Sequence, residues 1–186
     1  LKKPLDFYVF DVETWGLNAT KEAFALGVIY GKDYYFETDN HEELKAELLS
    51  KRFKGKIIFA HNALYDLSTM FGNIITDLDN KAIFNASKFI LARKDGRTFA
   101  DSLNILPAKL ESIGKMLGVE KEETPQKFID NIRQDLTDDD FKYCAQDCKV
   151  IYTALCNIFN EIGCVRVTLA SLSMAYFRRK FLKDPL

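Results

Sequence analysis

Nine residues near the start, Asp6-Phe-Tyr-Val-Phe-Asp-Val-Glu-Thr14, constrain this chain more than any others. Bulky apolar and β-branched residues in a run read as a buried strand, and here the strand breaks off into two carboxylates. Side chains alternate along a strand, so Asp11 and Glu13 point to one face and Val12 returns to the core between them. Two carboxylates that close repel each other unless a cation lies between them, and hard oxygen ligands suit magnesium or manganese. The bland alternative is an acidic strand-to-loop junction. The choice rests on what the rest of the chain supplies.

Burying such a strand requires a core. The chain has 186 residues, 47% hydrophobic and 13% aromatic, which suits one domain spanning residues 1–186. Basic and acidic residues nearly balance, 26 against 27, so no global positive field coats the molecule and any nucleic-acid contact must be local. The apolar run after Lys2-Lys3-Pro4 is too short for a signal peptide, and no segment is long enough to span a bilayer, so no membrane partner is expected.

Along the chain, Ala23 to Tyr30 and Tyr34 to Glu37 read as strands joined at Gly31-Lys-Asp33, which makes a three-stranded meander with the first strand. An amphipathic helix opens at Asn40 or His41, runs through Leu44, Leu48 and Leu49, and ends in Lys51-Arg52 before Gly55. Lys56 to Ala60 reads as a short buried strand, with Asn62 placed to cap a helix through Leu64, Leu67, Met70 and Phe71. Phe89 to Arg93 and Thr98 to Asp101 flank a hairpin cue at Asp95-Gly96. Pro107 starts a helix through Leu110, Ile113 and Leu117 that stops at Gly118. Val119 to Asp135 is a charged connector with a short helix around Phe128 to Ile132. Thr137-Asp-Asp-Asp140 opens a long helix to Gly163, and a last helix spans Thr168 to Leu182. Strand, turn, helix alternation is an α/β signature.

Two further groups join the paired acids. In His61-Asn-Ala-Leu-Tyr-Asp66, Asn62 and Asp66 are one helical turn apart just past a buried strand. In Tyr143-Cys-Ala-Gln-Asp147, a phenol and a carboxylate share one face of the long helix. Singly, Asp66 reads as a surface acid and Tyr143 as a core aromatic. Together the three groups are what two metal ions and a positioned water need for phosphodiester hydrolysis.

With these motifs, Asp11-Val-Glu13, Asn62-Ala-Leu-Tyr-Asp66 and Tyr143-Cys-Ala-Gln-Asp147, the chain resembles the Tyr-bearing 3′-5′ exonucleases of the DEDD superfamily. The resemblance is closer to the proofreading domains of protein-primed family B DNA polymerases of phages and linear plasmids. That closer likeness lies in Phe10-Asp-Val-Glu-Thr14, His61-Asn62 and Asp101-Ser-Leu-Asn-Ile-Leu106, and it covers about Phe7 to Leu155. It implies an α/β, ribonuclease H-like mixed sheet with helices on both faces. It implies that Asp11, Glu13 and Asp147 hold one Mg2+ (or Mn2+), that Asp11 and Asp66 help hold a second, and that Tyr143 orients the attacking water. In the same resemblance Thr14, His61, Asn62 and Tyr65 bind the 3′ end of single-stranded DNA, with Ser102 and Leu103 further along the strand.

The group's additional lysine has no clear counterpart among Lys115, Lys121 and Lys127. No polymerase motif follows, so the expectation is either a free-standing exonuclease or an amino-terminal piece of a DNA polymerase, and Leu1 in place of Met points to a trimmed or excised piece. The resemblance places the chain in a cytoplasm, that of the host if viral, or in a mitochondrion if plasmid-encoded. Two rivals stand beside this reading: an exoribonuclease of the same superfamily, and a catalytically idle nucleic-acid-binding module.

The four cysteines, Cys144, Cys148, Cys156 and Cys164, form no Cys-x-x-Cys pair, and neither His41 nor His61 lies near them in sequence. They read as reduced core thiols in a reducing compartment rather than as a zinc site. Thiol titration of the denatured, freshly purified chain should therefore find all four reduced, with zinc content far below one ion per chain. Zinc near one ion per chain, released by a chelator, would contradict this.

Overall fold

A computed structural model describes residues 5–73, 82–119 and 123–182. Its centre is a seven-stranded mixed sheet in the order β3-β2-β1-β4-β7-β6-β5. The strands are β1 (Phe7–Thr14), β2 (Phe24–Gly31), β3 (Tyr34–Thr38), β4 (Ile57–Ala60), β5 (Ile83–Asn85), β6 (Lys88–Lys94) and β7 (Arg97–Asp101). The expected meander is present, since β1, β2 and β3 pair antiparallel, whereas β1, β4 and β7 run parallel. Lys94 pairs with Arg97 across Asp95-Gly96, and both turn residues have positive φ, as a two-residue hairpin of this twist requires.

Among the described residues, six α-helices cover the two faces. They are α1 (His41–Leu48), α2 (Ala63–Phe71), α3 (Leu110–Met116), α4 (Gln126–Ile129), α5 (Asp138–Ile162) and α6 (Leu169–Phe177). Alternation along the strands divides the core in two. Phe7, Val9, Val28, Phe59 and Ala100 pack with Cys148, Ile151, Leu155 and Phe159 of α5. Phe10, Val12, Ile29, Ile58 and Phe99 pack with α1 and α2 through Leu44, Leu48, Leu67 and Met70. Helix α5 carries a Thr137–Asp140 capping box at one end and a left-handed Gly163 at the other, as its sequence signals predict. Among the described residues, no helix is long and apolar enough to cross a membrane.

Several boundaries differ from the sequence reading. Helix α1 ends at Leu48, and Lys51-Arg52 fall in a 3-10 turn whose last residue, Phe53, is buried against Tyr8 and Tyr34. The carbonyls of Leu49 and Ser50 are capped by the buried Arg97 guanidinium instead of by those two cations. Pro107 lies outside α3, which begins at Leu110 after an extended Lys109. The connector helix is α4, centred two to three residues before the expected Phe128 to Ile132 because Phe128 is the residue it buries. The last helix is regular only to Phe177 and then widens into a π-turn at Arg178–Leu182. Strand β5, with all three residues exposed, had no sequence signal. Lys121 lies outside the described residues.

Phe59 ties the sheet to α5, meeting Phe7 at 5.8 Å and Phe159 at 6.0 Å between ring centroids while fully buried. Phe59→Ala should cost about 3–5 kcal/mol in urea unfolding, because the ring's contacts are lost and the cavity cannot fully close. A loss under about 1 kcal/mol would show that the neighbours repack freely.

Candidate active site

Strand β1 outruns its parallel neighbour. Its ladder with β4 covers only Phe7 to Val9, whereas the ladder with β2 continues to Thr14 across a bulge between Glu13 and Thr14. Past that point the Val12 N–H has no β4 partner and donates to Asp66 Oδ1 at 3.1 Å. Asp66 reaches it because β4 turns abruptly into α2 through Asn62, whose backbone is left-handed (φ 65°, ψ 48°). Asparagine tolerates that conformation better than most residues. The Asn62 side chain does not accept the expected capping hydrogen bond, and being outside the helix Asn62 does not share a face with Asp66: its side chain is exposed while Asp66 is buried. The backbone of the turn is held by Asp101, whose Oδ1 accepts from Asn62 N at 3.1 Å and from Leu103 N at 2.9 Å.

Four carboxylates gather at this strand end. Asp11 and Glu13 share the face of β1 that looks toward α5, where the Cys144 thiol donates to Asp11 Oδ2 at 3.4 Å. Donor atoms of Asp11, Glu13 and Cys144 lie within 4.8 Å of one another. Burial pushes the Cys148 thiol up, and Asp11, Asp147, Asp66 and Glu13 all add to the effect, which puts the four acids around one stretch of α5. Burial also raises the Asp66 carboxyl well above the usual range, with Asp11 adding repulsion and the Val12 N–H opposing it. Tyr143 and Asp147 are both buried on one face of α5, and burial followed by the charges of Asp147 and Glu13 keeps the Tyr143 phenol protonated. Its hydroxyl lies 2.8 Å from that of Thr124, just before α4.

Clustered carboxylate oxygens fit a hard divalent cation. The Cys144 thiol, held up by burial, fits one poorly and serves as a hydrogen-bond donor to Asp11.

Beside the acids lies a groove of about 180 Å³, lined by Glu13, Thr14, Tyr65, Thr124 and Phe128 among others. Thr14 Oγ1 donates to the Gly16 carbonyl at 2.8 Å, so the short contact with Tyr65 uses the phenol as donor. His61 and Ser102 form a separate corner. His61 Nε2 lies 2.9 Å from the Ala108 carbonyl, an acceptor only, which leaves Nδ1 of a neutral ring to accept from Ser102 Oγ at 2.8 Å. Ser102 is fully buried, so any hold on a strand at this corner would run through the backbone turn and the half-buried Leu103.

Thus Asp11, Glu13, Asp66, Tyr143 and Asp147 come together, with Thr14 and Tyr65 at their edge and Asn62 at the surface nearby. Sequence reasoning missed Thr124, Asp101 and the contact of Cys144 with Asp11. Of these, only Asp101 carried a signal, as an acid at a strand end before the Ser-Leu pair.

No protein-family model and no curated protein sequence matches the chain. Solved structures do. Phi29 DNA polymerase in its orthorhombic crystal form superposes with a TM-score of 0.71 at 18% identity, over 95% of this chain and 34% of that one. The same polymerase with primer-template DNA and incoming nucleotides gives 0.68, and with single-stranded DNA 0.66, each at 18% identity over 97% of this chain and 36% of that one. The fold is therefore the expected ribonuclease H-like mixed α/β sheet. The chain spans about a third of the length of those polymerase chains.

The raised Asp66 carboxyl has a consequence for stability in a metal-chelating buffer. Above the ordinary aspartate pKa of about 3.9 the unfolded chain has released this proton while the folded chain retains it, so stability falls as pH rises from there. Asp66→Asn keeps an oxygen for the Val12 N–H and removes the penalty. Its metal-free melting temperature should exceed the wild type's at pH 8, by about 2–4 °C per kcal/mol relieved, and the difference should vanish near pH 4. A lower melting temperature at pH 8 would mean that Asp66 is stabilising as a carboxylate.

Proposed function

We propose that the chain is a metal-dependent 3′-5′ exonuclease that releases nucleoside 5′-monophosphates from single-stranded or frayed DNA 3′ ends, acting as the proofreading part of a DNA polymerase. The observation that carries this reading is the convergence of four carboxylates and one phenol on a strand end beside an open groove. An idle binding module has no use for a buried aspartate whose carboxyl is pushed well above the usual range by burial and then by repulsion from Asp11. The fold shared with structures of phi29 DNA polymerase, one of them holding single-stranded DNA, supports the DNA side of the proposal.

In this reading Asp11, Glu13 and Asp147 hold one Mg2+ (or Mn2+) and Asp11 and Asp66 help hold a second. Bound there, the ions supply charge stabilisation to the oxygens of the scissile phosphate and acidify the attacking water. Tyr143, protonated and rigid on α5, fixes that water in line. Thr14 and Tyr65, bonded to each other, form the wall against which the terminal nucleotide stacks, with Asn62 at its surface and Leu103 further along the strand. Frayed ends enter more readily because a paired end must first be unstacked.

The test is cleavage of an end-labelled DNA strand, and of an RNA of the same sequence, with and without magnesium. The DNA should shorten from its 3′ end one nucleotide at a time, only with the metal. Asp11→Ala, Asp66→Ala and Asp147→Ala should fall to background. Tyr143→Phe should keep its ring packing and lose on the order of 10²-fold in single-turnover rate. An Asp11→Ala variant with wild-type turnover at saturating magnesium would sink the assignment, and preferential loss of the RNA would move it to a ribonuclease.

A further inference from the structure

The hydroxyl of Thr124 faces the Tyr143 phenol at 2.8 Å from a segment that is fixed in three ways. Phe128 is buried and packs on Trp15 at 5.1 Å between ring centroids, the rings tilted by 47°. The Gly16 N–H donates to the Phe128 carbonyl at 2.6 Å. Lys127 forms an ion pair with Asp140 at 2.5 Å, the two side chains 12% and 5% exposed, which anchors α4 to the first turn of α5. Pro125 follows Thr124 directly and restricts its backbone to extended conformations. The Thr124 hydroxyl is therefore presented to Tyr143 from a braced support, at the wall of the groove that Thr124 itself lines.

A phenol has one proton and must commit it in one direction. If Tyr143 gave that proton to Thr124, only lone pairs would remain for the site. If Thr124 gives its own proton to the phenolic oxygen, the Tyr143 proton turns toward the acids and the water among them. Asp147 lies one turn further along the same buried face of α5 and its carboxylate can only accept, so the one proton of the phenol belongs on that side. We infer that Thr124 is a positioning residue: its hydroxyl donates to Tyr143 and thereby fixes the direction in which Tyr143 offers its proton to the attacking water. The inference rests on the exonuclease reading above.

The test compares single-turnover cleavage of a short DNA strand at saturating magnesium by the wild type, Thr124→Val, Thr124→Ser, Tyr143→Phe and the double variant Thr124→Val/Tyr143→Phe. Valine keeps the shape and removes the hydroxyl, and serine keeps the hydroxyl. Thermal melts confirm that each variant is folded. Thr124→Val should lose about five- to tenfold in rate, the worth of one neutral hydrogen bond. Thr124→Ser should recover to within about twofold of the wild type, and the valine change should add nothing in the Tyr143→Phe background, as expected for two groups acting through one contact. A Thr124→Val variant as fast as the wild type or faster, a serine variant as slow as valine, or additive losses in the double variant would each overturn the assignment while leaving the nuclease reading intact. A wild type that leaves the strand uncut would overturn that reading and this one with it.

Discussion

The hydrogen bond from the Val12 N–H to Asp66 closes a gap that the sheet itself creates. Strand β1 continues past the end of the β4 ladder, and an amide stranded at a sheet interior needs an acceptor. Supplying it with a carboxylate brings an acid from α2 against the two that β1 carries, and α5 adds a fourth from the other face. Repulsion among these groups and the burial of Asp66 oppose folding, and the two core halves outweigh them. The strain of a left-handed Asn62 belongs to the same arrangement, because only a sharp turn out of β4 lets the first turn of α2 face β1. In the proposed reading the site is a place where the fold tolerates unfavourable electrostatics that a divalent cation would reverse.

Around that centre, the elements divide the work. The carboxyl ends of the central parallel trio β1, β4 and β7 fall on one side of the sheet, which is where open α/β sheets place ligands. Asp101, at the end of β7, ties the β4–α2 turn to the Ser102–Asn104 turn through one oxygen. On the opposite side, the Trp15–Phe128 contact and the Lys127–Asp140 pair hold α4 over the groove. A buried ion pair of this kind is weak evidence for stability, but it specifies where α4 sits. Movement of α4 would alter both the groove wall and the neighbourhood of Tyr143 at once.

What was legible in the sequence follows from how local each signal is. Alternation made β1 to β3 readable, Asp95-Gly96 marked the hairpin, and Thr137 with Asp140 and Gly163 bounded α5. Asp11 with Glu13 and Tyr143 with Asp147 were legible as pairs because period-two and period-3.6 spacing puts side chains on faces regardless of tertiary context, whereas Asp66 was marked by its place just past a buried strand. Asn62 was misread because capping and left-handed turn geometry draw on the same residue type, and only the approach of α2 to β1 decides between them. The early end of α1 depends on Phe53 reaching Tyr8 and Tyr34, and the contacts of Thr124 and Cys144 depend on elements far apart in the chain. Strand β5 exists only through its pairing with β6.

The central claim is that Asp11 is the shared hard ligand of a divalent-cation site. Titration of the metal-free chain with manganese, followed by the electron paramagnetic resonance signal of the free ion, measures this without reference to any nucleic acid. The account predicts saturable binding by the wild type that approaches two ions per chain, and near-complete loss of that binding in Asp11→Ala. A free-manganese signal that falls no further with the wild type than with Asp11→Ala would contradict it.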